Sequence, residues 1–189
     1  PPSSSKRSSG SCASSVADAI VRAATEADLD GITRVYDQYI VDSAVSFDVE
    51  PWSRERRLAW WEEHQGHDRL VVLVAEADGD VVGAAYSSWY RPKVAYEHSL
   101  ETSVVLDGAW TGRGLGLRLY GALLDELAAA GAHRAYAVVT LPNDASVALH
   151  HRLGFRDVGV EDECGWKLGR WWSTLTLEKR FDDSAPDRP

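Results

Sequence analysis

The chain contains no methionine and only two cysteines, Cys12 in a polar stretch and Cys164 in a late segment. Two cysteines so placed make neither a disulfide framework nor a zinc-ligand spacing, so a reducing cytoplasm and the absence of a metal site are expected. Positive charge is in deficit: 20 Lys and Arg stand against 29 Asp and Glu, a net charge of −9. Such a balance argues against nucleic acid or an anionic membrane as the main partner. No apolar run approaches the roughly 20 residues of a membrane-spanning helix, and residues 1–19 lack the hydrophobic stretch of a signal peptide. Two nucleotide signatures are missing as well. The one glycine-rich loop does not end in the Lys-Ser/Thr of a P-loop, and it reads GxGxG rather than GxGxxG.

What remains, 189 residues at 44% hydrophobic and 26% charged, suits one well-packed domain. Residues 1–19 are Ser-rich and read as a disordered extension, residues 20–181 as the domain, and residues 182–189 as a disordered tail. A first strand opens at Ile20. Thr25 with Asp28 forms a capping-box variant, and Leu29, Ile32, Val35, Tyr36, Tyr39 and Ile40 make the apolar face of a first helix. Ser53 caps a second helix to about His64 that turns Leu58 and Trp61 inward. From Leu70 the period becomes that of strands, with Asp78-Gly79 as a hairpin turn. Strands over about 96–106, 133–140, 155–160 and 173–179 and helices over about 114–130 and 144–153 follow. This order predicts a mixed sheet flanked by helices, an α/β (α+β) class.

The stretch ETSVVLDGAWTGRGLG, residues 101–116, runs from a β-branched strand into Gly112-Arg113-Gly114-Leu115-Gly116 and then into a helix with Leu119, Tyr120, Leu123, Leu124 and Leu127 on one face. Glycines let backbone amides approach an anion, and the positive end of the helix favours one, so the loop is a candidate pyrophosphate cradle. By itself it reads equally well as a glycine-rich helix entry with no ligand.

A second stretch, LPNDASVALHHRLGF at 141–155, gives a turn, a helix, a glycine stop and a strand. Together the two resemble the GNAT acetyltransferase superfamily, with its (Q/R)xxGxG/A loop and Nxx(A/S)xxL(Y)xxxGF segment. RAATEADL, SFDVEP, VAEADGDVVGAAY, AYEHSLETSVVL and GWKLGRW extend the likeness to the phosphinothricin N-acetyltransferase branch, over residues 21–180 or so.

The resemblance implies a GNAT acyltransferase fold with a mixed, mostly antiparallel central sheet, acetyl-CoA as co-substrate, a small-molecule amine as acceptor, and a homodimer. It implies that the backbone of Val104, Val105 and Leu106 meets the pantetheine arm. Gly112, Arg113, Gly114, Leu115 and Gly116 then offer amides to the pyrophosphate, and Asn143 contacts the cofactor. Thr111 stands where the family motif opens with Gln or Arg. Glu101 takes the place of the catalytic base. His150 takes the place of a residue that protonates the leaving thiolate or tunes Glu101. Phe47, Arg91, Lys93 and Tyr96 match acceptor-binding positions, with Lys93 where the family has Arg. Trp166 and Trp171 match an aromatic region near the pocket or the dimer contact.

Neither cysteine matches a nucleophile, so direct attack of the amine on acetyl-CoA is expected. The favoured acceptors are phosphinothricin and methionine sulfoximine, in a role of detoxification or of ordinary metabolism. The alternatives are a GNAT enzyme for another amine, a polyamine or a protein N-terminus, and a non-catalytic acyl-CoA sensor.

Overall fold

The computed structural model describes residues 18–181; residues 1–17 of the extension expected over 1–19, and the tail expected over 182–189, lie outside the described residues. Eleven elements follow in chain order: β1 (Ile20–Ala23), α1 (Leu29–Asp37), α2 (Arg54–Glu63), β2 (Val72–Ala77), β3 (Asp80–Trp89), β4 (Ser99–Leu106), α3 (Leu115–Ala129), β5 (Arg134–Thr140), α4 (Asp144–Arg152), β6 (Arg156–Lys167) and β7 (Arg170–Arg180). The strands form one seven-stranded sheet in the order β1-β2-β3-β4-β5-β7-β6. Every neighbouring pair is antiparallel except β4–β5, which is parallel. A mixed, mostly antiparallel sheet flanked by helices is the architecture expected.

Local sequence explains most of these elements. The leucine face of α3 is buried throughout at Leu115, Leu119, Tyr120, Leu123, Leu124 and Leu127, and covers one face of the sheet. Leu29, Ile32 and Val35 of α1 and Trp60 of α2 bury against Val72, Val74, Val81, Ala84 and Val105 on the other face. Thr25 and Asp28 form the capping box, and the Ser53 hydroxyl accepts from the Arg56 amide to cap α2.

Two expectations need correction and one an addition. Leu58 and Trp61 of α2 do pack inward, partly buried against the core, but the residues that go deepest are Arg57 and Trp60. The reason is a ring environment: the Arg57 guanidinium lies 4.2 Å from the centre of Trp52, 5.1 Å from Trp60 and 5.3 Å from Tyr36. Aromatic faces attract the cation, and its stem fills apolar space. The strand before the glycine loop starts at Ser99, because residues 94–96 form a 3-10 turn. The last hairpin is longer than expected, since β6 runs on to Lys167 and turns through Leu168 and Gly169.

The sheet opens where the site lies. β4 and β5 pair only from Ser99/Arg134 to Glu101/Tyr136. Beyond that point β5 stays with β7 through Thr140/Thr174, and β4 stays with β3 through Leu106/Gly83. The two central strands therefore part into a fork, and the β5-facing edge of β4 carries backbone groups with no strand partner there.

Candidate active site

The fork and the glycine loop each bound a cavity. The smaller, about 110 Å³, lies between Thr102–Val105 of β4 and Ala137–Thr140 of β5, and is closed by Tyr36, Tyr39, Tyr86, Ser46, Asn143, Ser146 and His150. The larger, about 520 Å³, continues from Val104, Val105 and Leu106 past Thr111, Gly112, Gly114 and Gly116 to the α4 side chains Ala145, Ala148, Leu149 and Arg152. Tyr39, Val45, Val104, Val105, Asn143 and Ser146 line both, so the two spaces adjoin. Tyr39 donates from its hydroxyl to the Leu106 carbonyl at 2.6 Å, which shows that this carbonyl points away from β3. By strand alternation the amide and carbonyl of Val104 point the same way, into the gap. An extended chain laid there can pair with them as a strand would.

At the larger cavity Gly112 and Gly114 take φ of 70° and 86°, and a Cβ built on either meets nothing within 4 Å. Gly114 is the N-cap of α3, so open space lies directly beside the free amides of the helix start. Open space beside free helix-start amides fits a diphosphate. Arg113 points elsewhere, with its guanidinium 5.8 Å from the Trp110 ring centre, and the Leu115 side chain is core. Asn143 caps α4 by accepting from the Ser146 amide, a sufficient structural reason for its presence.

His150 is buried between the rings of Tyr120 and Phe155, each 5.1 Å away. Its Nδ1 is 2.7 Å from the Ser146 carbonyl. A carbonyl only accepts, so the proton sits on Nδ1 and Nε2 carries the lone pair. Burial is the largest influence on its pKa and lowers it, the Ser146 bond opposes, and His151 adds to the lowering. His150 is therefore a neutral imidazole at neutral pH, a proton acceptor before it can be a donor. His151 lies outward on Asp157 at 2.7 Å. The fork itself is pinned by Thr102, which donates to the Tyr136 carbonyl at 3.0 Å and accepts from the Tyr120 hydroxyl at 2.7 Å.

Glu101 lines neither cavity. It lies on the sheet face opposite α3, one step along β4 from the fork, in register with Ser88 on one side and Tyr136 on the other. One side of it is open to solvent, while crowding by protein on the other raises its pKa by desolvation, the one cause acting on it. Among the described residues it has no ion-pair partner, and a raised, unpaired carboxylate is the form a general base takes.

The expected acceptor residues are not gathered at the cavities. Phe47 packs on Gly165 of β6, so closely that a Cβ there would lie 2.2 Å from the ring. Arg91 lies over Tyr90 and Tyr96, and Lys93 is exposed at the start of a 3-10 turn. Sequence reasoning missed Tyr36, Tyr39, Ser46, Tyr86, Thr102 and Ser103 as lining residues. Tyr36 and Tyr39 carried a signal, polar tips on an otherwise aliphatic helix face; the others carried none. Cys164 is exposed on β6 and contacts Thr174, away from both spaces. Among the described residues no three His, Cys, Asp or Glu gather as a metal site, and no helix is long and apolar enough to cross a membrane.

Residues 33–155 match the acetyltransferase (GNAT) family. The chain is 42% identical over 165 residues to a phosphinothricin N-acetyltransferase of Streptomyces coelicolor, covering 86% of this chain and 96% of the relative. It is 34% identical to an L-methionine sulfoximine/L-methionine sulfone acetyltransferase of Salmonella typhimurium, covering 88% and 98% of the two chains. The fold matches a GNAT superfamily phosphinothricin acetyltransferase of Sinorhizobium meliloti, solved in complex with acetyl-CoA, at a TM-score of 0.85 and 29% identity over 91% of this chain and 93% of that one. With the forked sheet, the open glycine cradle and these matches in hand, the chain belongs to the GNAT family of acetyltransferases.

Proposed function

We propose that the protein transfers an acetyl group from acetyl-CoA to the amine of a small amino-acid-like acceptor such as phosphinothricin or methionine sulfoximine. The observation that carries the reading is the continuity of the two cavities with Glu101 beside them: a groove for a long anionic cofactor ends at a fork next to a desolvated carboxylate. The activities of these two relatives support the acceptor class. Bound acetyl-CoA supplies the thioester; the Gly112, Gly114 and Gly116 amides would hold its diphosphate and Val104 its arm.

Amino-acid amines are mostly protonated at neutral pH, so Glu101 takes a proton from the ammonium before attack. The free nitrogen then forms a bond to the acetyl carbon as the carbon–sulfur bond breaks, and the sulfur leaves needing a proton. His150, neutral with Nε2 free, receives a proton from the attacking nitrogen and hands it to the sulfur. Its burial favours such a relay, because the imidazolium it forms passes the proton on readily.

The acceptor test measures thiol release from acetyl-CoA with phosphinothricin, methionine sulfoximine, methionine sulfone, spermidine and a short peptide. Turnover on the first three is expected. Turnover on spermidine or the peptide alone moves the acceptor assignment, and acetyl-CoA binding without any turnover supports a sensor instead.

The reading includes a homodimer and a cytoplasmic setting. The β6–β7 hairpin presents Trp166 and Trp171 at 58% and 54% exposure, with ring centres 5.2 Å apart, and Val138 of β5 stands 50% exposed. Apolar surface of that kind suits a second copy. Light scattering of the purified protein is expected to give twice the chain mass; a monomer mass at micromolar concentration sinks the dimer.

A further inference from the structure

On the sheet face opposite α3, one row of side chains runs across five strands: Ser88, Glu101, Tyr136, Glu178 and Arg156. Glu178 is buried and ion-paired with Arg156 at the outer end of the row. Tyr136 separates that pair from Glu101. Above Tyr136 lies the ring of Tyr90, nearly parallel at an interplanar angle of 13° with centres 4.0 Å apart. Tyr96 meets Tyr90 edge-on at 5.8 Å. The Arg91 guanidinium lies 4.9 Å from the Tyr90 ring centre and 5.5 Å from that of Tyr96, and donates to the Tyr90 hydroxyl at 3.2 Å.

Among the described residues, few hydrogen bonds tie residues 90–96 to the body of the protein, although the Arg69 guanidinium donates to the Glu97 carbonyl at 2.5 Å just beyond them. The Tyr90 amide reaches the Ser99 carbonyl at a long 3.4 Å, and the Tyr96 amide bonds within the segment, to Lys93. Arg91, Lys93 and Val94 are exposed. The stacked aromatic pair is therefore an anchor of the segment, and such a pair contributes more than its buried area alone. The same stack orients Arg91. Its N–H groups serve the Tyr90 hydroxyl and, more weakly, Tyr96, and the planar group is held by its faces, so the donors left over face outward for an oxyanion.

We propose that Tyr136 is a positioning residue of the acceptor subsite: its ring seats Tyr90, and through Tyr90 aims Arg91 beside Glu101. The assignment rests on the reading of Glu101 as the base. It accounts for the absence of Arg91 from the cavity lining, since Arg91 caps a stack at the rim and meets the acceptor's anionic end while the amine faces Glu101. It also supplies the crowding at Glu101. In register beside that carboxylate stand Ser88 from β3 and Tyr136 from β5. The charged groups on this face are Arg134, two residues before Tyr136 on β5 and in register with Ser99, the closed Glu178–Arg156 pair beyond Tyr136, and Arg91 on the stack; none of them sets the pKa of Glu101, which burial alone raises.

The test compares Tyr136→Ala, Tyr136→Phe and Tyr90→Ala for thiol release with methionine sulfoximine and phosphinothricin. Calorimetric acetyl-CoA binding and the pH profile of kcat/KM are recorded alongside. Tyr136→Ala and Tyr90→Ala are expected to raise acceptor KM by about tenfold or more while acetyl-CoA Kd moves less than about twofold. They should also shift the acidic limb of the profile toward the ordinary carboxylate range. Tyr136→Phe keeps the ring and recovers most of the loss. Equal damage in the Phe and Ala variants, or an unchanged acceptor KM and acidic limb in both Ala variants, overturns the proposal. Tyr90→Ala removes the stack from the exposed side, so it decides the matter if Tyr136→Ala fails to fold. If the wild type acetylates neither amine, the functional reading falls, and hydrogen exchange of residues 91–97 decides the anchoring. Protection lost in Tyr136→Ala and kept in Tyr136→Phe supports it; protection kept in both overturns it.

Discussion

Glu101→Gln is expected to lower kcat/KM for the acceptor by about 10²- to 10⁴-fold near neutral pH, the usual contribution of a positioned general base, while acetyl-CoA binds as before. The amide keeps the size and polarity of the side chain and removes only its basicity. In the wild type the rate rises with pH as Glu101 loses its proton. Desolvation raises its pKa, so this acidic limb lies above the pH at which a free glutamate titrates. The variant loses that limb, and its remaining pH dependence follows the acceptor amine. Stability moves in the opposite sense. A carboxyl whose folded pKa is raised above its unfolded value costs the fold stability as pH rises from the unfolded to the folded value. Glu101→Gln is therefore expected to melt at or above the wild-type temperature at neutral pH, with the difference vanishing below the ordinary carboxylate pKa. Thiol release across the pH range, with thermal melts of both proteins, tests the two halves together. A variant with wild-type turnover and an intact acidic limb removes Glu101 from the chemistry.

The second large effect is expected on cofactor binding. Gly114→Val should weaken acetyl-CoA binding by about 10²-fold or more, read by calorimetry, while the fold survives. The residue sits at φ of 86° as the N-cap of α3. A side chain there costs on the order of 1–2 kcal/mol in left-handed strain, more when β-branched, and the loop relaxes away from the helix start. The amides aimed into the cavity then lose alignment, and each hydrogen bond to a charged phosphate oxygen is worth about 1.5–3 kcal/mol. The valine also fills space that is open at this glycine. A Kd within threefold of wild type would take the diphosphate out of this cradle.

Much of the frame was legible because its causes are local. The leucine spacing of α3, the Asp78-Gly79 turn between β2 and β3 and the Ser53 cap are each decided by residues a few positions apart. The glycine loop was legible for the same reason, as a string of residues permitting one backbone path. The depth of Arg57 was not, because no helical period anticipates a guanidinium enclosed by Tyr36, Trp52 and Trp60 from two helices and the segment before α2. Nor was the length of β6, whose outer residues are polar and gain their strand partners from β7. The expected acceptor residues were read as one set. They lie in three places, since Phe47 is taken by Gly165, Arg91 by the tyrosine stack and Lys93 by solvent.

By itself the sequence determined the class of fold and a strand-loop-helix suited to an anion, and its resemblance to the family singled out Glu101 and His150. Spacing, turn chemistry and motif survive any change of tertiary surroundings. Only the tertiary structure decided that β4 and β5 part after Glu101, that His150 is neutral with its lone pair on Nε2, and that Glu101 stays crowded and unpaired. These are matters of strand register and of water excluded by distant segments: Tyr120 and Phe155 around the imidazole, and the strands flanking the carboxylate. Charge state follows desolvation, and desolvation is a property of the packed fold.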